Sequence, residues 1–265
     1  ARFCSMPGRI ETRREGPLGW IVFDHPERRN AITAAMWQRL PEVAAEINAD
    51  PAVRVVILRG AGDVAFAAGA DISEFQQNRS GEGAARYDRE NQDAMQALAA
   101  IQKPVLAAIH GFCVGGGCAI ALTADLRYSA DDGVFAIPAA RLGLGYGAAG
   151  IETLVATVGL PAAKEIFFTA RRLDAAEALR VGLVNRVLPK ADLDAFVRET
   201  ALSIAANAPL TLASAKSVMR ELSRDRAERD SEAISASIRA CYDSSDYQEG
   251  VRAFLEKRTP EFKGR

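Results

Sequence analysis

The sequence predicts an α/β architecture over residues 1–190, followed by an all-helical stretch over residues 191–265. Three observations lead there. Short apolar runs such as Val53–Arg59 and Val105–Ile109 alternate with helical segments through the first part. Two bends of small residues, Phe66–Ile72 and Gly115–Gly117, each follow such a run and precede a helix. From Asp192 to Lys257 only helical patterning continues, the order expected of an α/β layer with a helical appendix.

The elements follow in chain order. Ile10–Glu15 and Trp20–Asp24 flank Gly16-Pro17-Leu18-Gly19 and read as a hairpin. Thr33 offers an N-cap for an amphipathic helix ending near Asn48, in which Pro41 should cause a break or kink. Val53–Arg59 is a strand, and Gln76–Gly83, polar and rich in Gly and Ser, reads as a mobile loop over the site. Ala84–Ile101 is a helix, Val105–Ile109 a buried strand and Cys118–Leu122 a helix. Leu126–Ser129 and Val134–Ile137 are short strands about the turn Asp131-Asp132-Gly133. Ile151–Val158 is helical, and Pro161 suits the first position of a helix over Ala162–Ala170. Asp174 caps Ala175–Val181, Gly182 takes the C′ position, and Leu183–Val187 is the last strand. Leu193–Asn207, Leu210–Leu222 and Ser231–Glu256 complete the helical part.

Composition narrows the function. A chain of 265 residues that is 49% hydrophobic can bury one sizeable core. A formal charge of −1 provides no basic field for nucleic acid, and the helix Ala84–Ile101 has no lysine. No run reaches the ~18–20 apolar residues of a membrane span, and the N-terminal stretch lacks the hydrophobic segment of a signal peptide. The four cysteines, Cys4, Cys113, Cys118 and Cys241, lack metal-ligand spacing, and two distant histidines, His25 and His110, add no metal site. Both histidines read as structural, Cys113 and Cys118 as small buried hydrophobes, and the compartment as reducing and cytoplasmic.

The two bends carry the chemistry. Glycine lets a ligand come close to the backbone, and a helix N-terminus leaves N–H groups unpaired and partly positive. Two such amides brought together can hold one oxygen, including one that becomes an oxyanion.

The segments FAAGADI (Phe66–Ile72) and HGFCVGGGCAIA (His110–Ala121) resemble the crotonase superfamily, whose namesake is enoyl-CoA hydratase. The likeness continues through HPERRNAIT (His25–Thr33), AVRVVILRG (Ala52–Gly60), ARLGLGYG (Ala140–Gly147), FTARRLDAAEALRVGLVNRVLP (Phe168–Pro189) and AFLEKRTPEF (Ala253–Phe262), nearly the whole chain. It implies a spiral of ββα repeats with a C-terminal helical trimerisation region, in a homotrimer or a dimer of trimers. The substrate implied is an acyl-CoA, so coenzyme A arrives with the substrate and no bound cofactor is expected. The thioester oxygen would lie between the backbone N–H groups of Ala70 and Gly116. Ala68, Ala70, Asp71 and Ile72 match the segment lining the CoA groove, Arg28 and Arg29 the loop facing its adenine and phosphates, and Lys257 a basic residue that reaches CoA.

The resemblance also exposes a departure. Hydratases of the superfamily hold water with two glutamates, and the matching positions here are Ala119 and Ala139. Positioned acid–base groups contribute ~10²–10⁴-fold each, so the sequence argues against conventional hydration by that pair. Tyr146 matches a tyrosine of methylmalonyl-CoA decarboxylases, where it serves the substrate carboxylate; its other reading is an aromatic lining the pocket. Asp71 reads as a cap on the helix that follows, and Glu74 as a base at the pocket rim or a solvated side chain. An acyl-CoA-binding subunit without catalysis is the alternative, and no Ser–His–Asp or Cys–His set supports thioester hydrolysis.

Overall fold

The computed structural model describes residues 7–74 and 82–265. Cys4 and positions 76–81 of the expected mobile loop lie outside the described residues.

A six-stranded sheet forms the spine, in the order β1 (Arg9–Glu15), β2 (Leu18–Asp24), β3 (Val55–Gly60), β5 (Val105–Ile109), β7 (Leu126–Ala130), β10 (Arg186–Leu188). β1 and β2 are antiparallel and all other neighbours in this sheet are parallel. A four-stranded sheet runs β4 (Ala65–Ala67), β6 (Phe112–Val114), β8 (Val134–Ala136), β9 (Leu173–Asp174). Three strands of the first sheet each lead into a short strand of the second and then a helix: β3–β4–α2 (Glu82–Ala99), β5–β6–α3 (Gly116–Thr123), and β7–β8 with the short α4 (Ala139–Leu142). This repeating ββα turn is the spiral expected of the fold.

The apolar runs are continuous because the large sheet is covered on both faces. Ile21, Phe23, Val56, Leu58, Val105, Ala107 and Ile109 point into the main core. Their sequence neighbours Trp20, Val22, Val55, Ile57, Leu106 and Ala108 point to the other face, with Leu193, Val197, Ala201 and Ala205 of α7 (Leu193–Ala205). Period-two alternation therefore sorts one apolar string into two cores. His110 fixes α7 at one end: its Nε2 meets Asp194 Oδ1 at 3.0 Å, and Arg59 Nη1 reaches Asp194 Oδ2 at 3.2 Å. His25 is likewise buried, against the Ala31 carbonyl at 3.0 Å.

Thr33 caps α1 (Ala34–Ala49), its hydroxyl accepting from Met36 N at 3.3 Å. The helix runs through Pro41 unbroken. Proline removes one intrahelical bond, but the buried stripe Met36, Trp37, Leu40, Val43, Ala44, Ile47 holds the segment against the core. The first hairpin turns on Gly16 and Pro17 alone, since Leu18 and Gly19 already pair with Glu15 and Arg14. Helix α5 (Ala148–Thr169) breaks at Gly159 (φ 75°, ψ 159°), just before Pro161. Asp174 and Glu177 form a reciprocal capping box on α6 (Ala175–Arg180), and Gly182 follows with φ 79°.

After α8 (Pro209–Leu222), the single helix expected over Ser231–Glu256 is two, α9 (Ser231–Tyr242) and α10 (Ser245–Glu256). Ser244 ends the first and caps the second, accepting from Tyr247 N at 3.1 Å. The buried Asp246 carboxylate then takes the N–H groups of Lys263 and Gly264, each at 2.7 Å, so the chain folds back on the start of α10. Among the described residues no helix is long and apolar enough to cross a membrane, and no group of three or more His, Cys, Asp or Glu is placed to hold a metal.

Candidate active site

The first bend is built from β4 and clamped by the loop after β2. Ala68 N donates to Arg29 O at 3.0 Å, Ile32 N to Gly69 O at 2.8 Å, and Asp71 N to Ile32 O at 3.0 Å. Gly69 and Asp71 therefore turn their bonding groups toward Ile32. In an extended segment successive amides alternate, so the Ala70 N–H faces the opposite side. Gly69 has φ 101°, a conformation that favours glycine.

Asn30 locks this loop. Its buried amide accepts from His25 N at 3.0 Å and donates to Ala61 O at 3.0 Å and Ala65 O at 2.7 Å. With φ 55°, Asn30 also takes the left-handed turn that asparagine tolerates. In the sequence Asn30 is a short polar residue flanked by charges and an apolar pair, a setting that gives no signal of its burial.

Asp71 and Glu74 are both engaged. Asp71 Oδ1 accepts from Ser73 N at 3.0 Å, Ser73 Oγ at 2.7 Å and Arg28 Nη1 at 3.1 Å. Burial by itself would raise its pKa, but the Ser73 bonds and the Arg28 charge outweigh it and hold the carboxyl below the usual range. Asp71 is thus a cap on the Ile72–Glu74 turn. Glu74 Oε2 accepts the Ala34 N–H at 2.8 Å, so the carboxylate is not merely solvated but satisfies a free amide at the N-terminus of α1.

The second bend is the Gly115–Gly117 turn. Gly115 is the N-cap of α3 at φ 52° and ψ −114°, and its N–H donates to Ala136 O at 2.8 Å. Gly116 is the first helical residue, whose N–H has no intrahelical acceptor. At Gly117 a Cβ would stand 2.2 Å from the Ala67 carbonyl oxygen, so only glycine lets α3 press against β4.

This close approach brings the bends together. A Cβ at Gly116 would lie 3.5 Å from the Ala70 nitrogen, and one at Gly69 would lie 3.6 Å from the Gly116 nitrogen. The Trp37 ring edge comes to the same point, its Cζ2 at 3.3 Å from the Gly116 Cβ position.

The remaining candidates fall into three places. Arg28 lies in the Pro26–Arg28 turn, half-exposed and bonded to Asp71 and Ser73, while the Arg29 guanidinium stacks 4.3 Å over the Phe112 ring. Ala68 is half-buried between these arginines and Ala70, and Ile72 opens the turn after Asp71. Tyr146, half-buried before α5, meets Phe167 edge-on at 5.1 Å and 85°. Lys257 ends α10 as an exposed C-cap at φ 55°. Ala119 is half-buried in α3, and Ala139 is buried at the start of α4.

Two sheets wound through ββα turns, with two main-chain bends meeting over a helix N-terminus, define the crotonase class. Residues 13–265 match the enoyl-CoA hydratase/isomerase family model. The chain is 34% identical over 253 residues to the short-chain-enoyl-CoA hydratase of Clostridium acetobutylicum, covering 95% of this chain and 97% of that protein. It is 35% identical over 264 residues to the carnitinyl-CoA dehydratase of Proteus mirabilis, covering 98% and 100%. The crystal structure of an enoyl-CoA hydratase/carnithine racemase from Magnetospirillum magneticum superposes with a TM-score of 0.92 at 39% identity, covering 97% and 96%. The chain belongs to the enoyl-CoA hydratase/isomerase family of the crotonase superfamily.

Proposed function

We propose that the protein is an acyl-CoA enzyme whose Ala70 and Gly116 N–H groups receive the thioester carbonyl oxygen. The observation that carries this reading is the meeting of the two bends, with the Ala70 nitrogen 3.5 Å from the Cβ position at Gly116. Removing a proton or carbon dioxide at the thioester α-carbon places negative charge on that oxygen. Donors fixed there bind the enolate more strongly than the ground state, which accelerates reaction. The backbone supplies the donors, so the stabilisation survives without an acidic side chain.

Ala119 and Ala139 have no group to deliver or remove a proton. The reaction proposed is decarboxylation of a malonyl-type CoA or isomerisation, with Tyr146 donating to the substrate carboxylate or orienting it. The carnitinyl-CoA and enoyl-CoA relatives support an acyl-CoA substrate. Arg28, Arg29, Ala68, Asp71 and Ile72 would line the CoA groove, Arg28 also keeping its bond to Asp71. Lys257 would reach CoA from the C-terminal helices. Exposed Tyr242, Tyr247, Val251, Phe254 and Leu255 on those helices support assembly into a homotrimer or dimer of trimers.

A second reading, an acyl-CoA-binding subunit without turnover, is favoured by the same two alanines. A panel of enoyl- and malonyl-type CoA thioesters, assayed by mass detection of product, separates them. Release of carbon dioxide or a shifted double bond supports the enzyme; tight CoA binding with no product from any thioester supports the subunit. Hydration at the rate of a two-glutamate hydratase overturns the proposed reaction.

A further inference from the structure

We propose that Trp37 is a positioning residue that sets the spacing of the two amide donors; this rests on the functional reading above. Trp37 is 1% exposed and sits in the first turn of α1, directly after the Ile32–Thr33 entry. Ile32, just before the Thr33 cap, holds the Ala70 segment through Gly69 O and Asp71 N. Five residues later the Trp37 benzo edge lies against the other bend, with Cζ2 at 3.3 Å and Cη2 at 3.6 Å from the Gly116 Cβ position. The Ala70 nitrogen lies 3.5 Å from that same point. The continuous Ile32–Trp37 segment thus grips the first donor's segment through the main chain of Ile32 and abuts the second with the Trp37 side chain. Trp37 N donates to Thr33 O at 3.1 Å, which ties the backbone that carries the ring to the N-cap.

The indole Nε1 is buried and has no hydrogen-bond partner among the described residues. A buried tryptophan ordinarily finds one. The ring stands here without that bond, so its contribution is shape: a flat, wide edge long enough to reach from α1 to the glycine turn. Gly116 has no side chain of its own to hold its place. Trp37 supplies that contact from outside, and a shorter side chain leaves the second amide free to drift from the first.

The test is the affinity of the folded protein for crotonyl-CoA and for the matched S-butenyl-CoA thioether, which has no carbonyl oxygen. Wild type should bind the thioester more tightly. Trp37→Leu should reduce that preference about tenfold or more, because ångström-scale misplacement of a site group is costly, while thioether affinity stays within about twofold. In turnover, kcat should fall more than KM rises. Should Trp37→Leu fail to fold, as judged by circular dichroism and urea unfolding, Trp37→Phe takes its place: it keeps an aromatic ring, loses the unpartnered N–H and should lose part of the preference. Equal loss of thioester and thioether affinity, or an undiminished preference in the folded variant, overturns the positioning role alone. A wild type that does not distinguish thioester from thioether overturns the two-amide reading, and this proposal with it.

Discussion

Glu74 Oε2 accepts the Ala34 N–H at 2.8 Å, joining the residue that ends the turn after the first bend to the residue that opens α1. An acidic side chain at a helix N-terminus is stabilised by the local dipole, typically by ~0.3–1 kcal/mol at an exposed site. Glu74→Gln keeps a carbonyl acceptor and should cost little stability, whereas Glu74→Ala should lower unfolding free energy by about 1 kcal/mol. Because this carboxylate is a clamp, Glu74→Gln should leave the pH profile of turnover unshifted. An acidic limb present in wild type and absent in Glu74→Gln would return Glu74 to a catalytic role.

Asn30→Ala should destabilise more. It strands His25 N–H and the Ala61 and Ala65 carbonyls, all held by one buried amide. Each unsatisfied buried group costs ~1–3 kcal/mol, and alanine fits the left-handed turn less well than asparagine. A loss of at least about 3 kcal/mol is expected in urea unfolding, with the denaturant slope unchanged.

Two adjacent glycines should separate stability from activity. Gly117→Ala forces a Cβ to 2.2 Å from Ala67 O, and backbone must move to admit it. Overpacking of this kind costs typically ~1–3 kcal/mol and occasionally more. Gly116→Ala meets only the Trp37 edge at 3.3 Å and an ordinary contact at the Ala70 nitrogen. It should change urea stability by no more than ~1 kcal/mol, since alanine is also the better helix residue. Its methyl intrudes between the two donors, so turnover should fall ~10²–10³-fold, the range seen when one such donor is lost. A Gly116→Ala protein as active as wild type would place the reacting oxygen elsewhere.

Tyr146→Phe keeps the ring that packs edge-on against Phe167 and removes only the hydroxyl. On the decarboxylase reading, turnover should drop at least ~10²-fold with CoA affinity preserved, in line with loss of a positioned proton donor. Unchanged turnover would leave Tyr146 as pocket lining.

The Asp71 cluster predicts a pH dependence. Its folded pKa is depressed, because the bonds from Ser73 and the Arg28 charge outweigh burial. A depressed carboxylate stabilises the fold above the unfolded value, about 3.9, and loses that contribution as pH falls through the lower folded value. Wild type should therefore exceed Asp71→Asn in stability at neutral pH, by ~1–2 kcal/mol for lost charged hydrogen bonds. The gap should close progressively as pH drops below about 4.

The sequence made the large sheet and the caps plain, except that the last strand, expected over Leu183–Val187, is Arg186–Leu188. Val105–Ile109 matches β5, and Thr33, Asp174 and Gly182 sit where their chemistry placed them. Of the second sheet only β8 was legible, as Val134–Ile137; β4 and β6 are three residues each, too short for any period, and β9 is two. Pro41 misled because local backbone preference yields to six buried side chains on one helix face. The Ser244 break was obscured by apolar spacing that continues across it. The bends themselves were legible as Gly-rich strand ends. Trp37 was not: only the tertiary crossing of α1 and α3 shows an apolar helix residue pressed on a glycine.

Asp246 carries a practical consequence. Its enclosed carboxylate is satisfied by main-chain N–H groups lent by Lys263 and Gly264. Trimming the chain back to Phe262 would seal a bare anion at the root of the last helix, so an expression tag is better fused at the opposite end than exchanged for these residues.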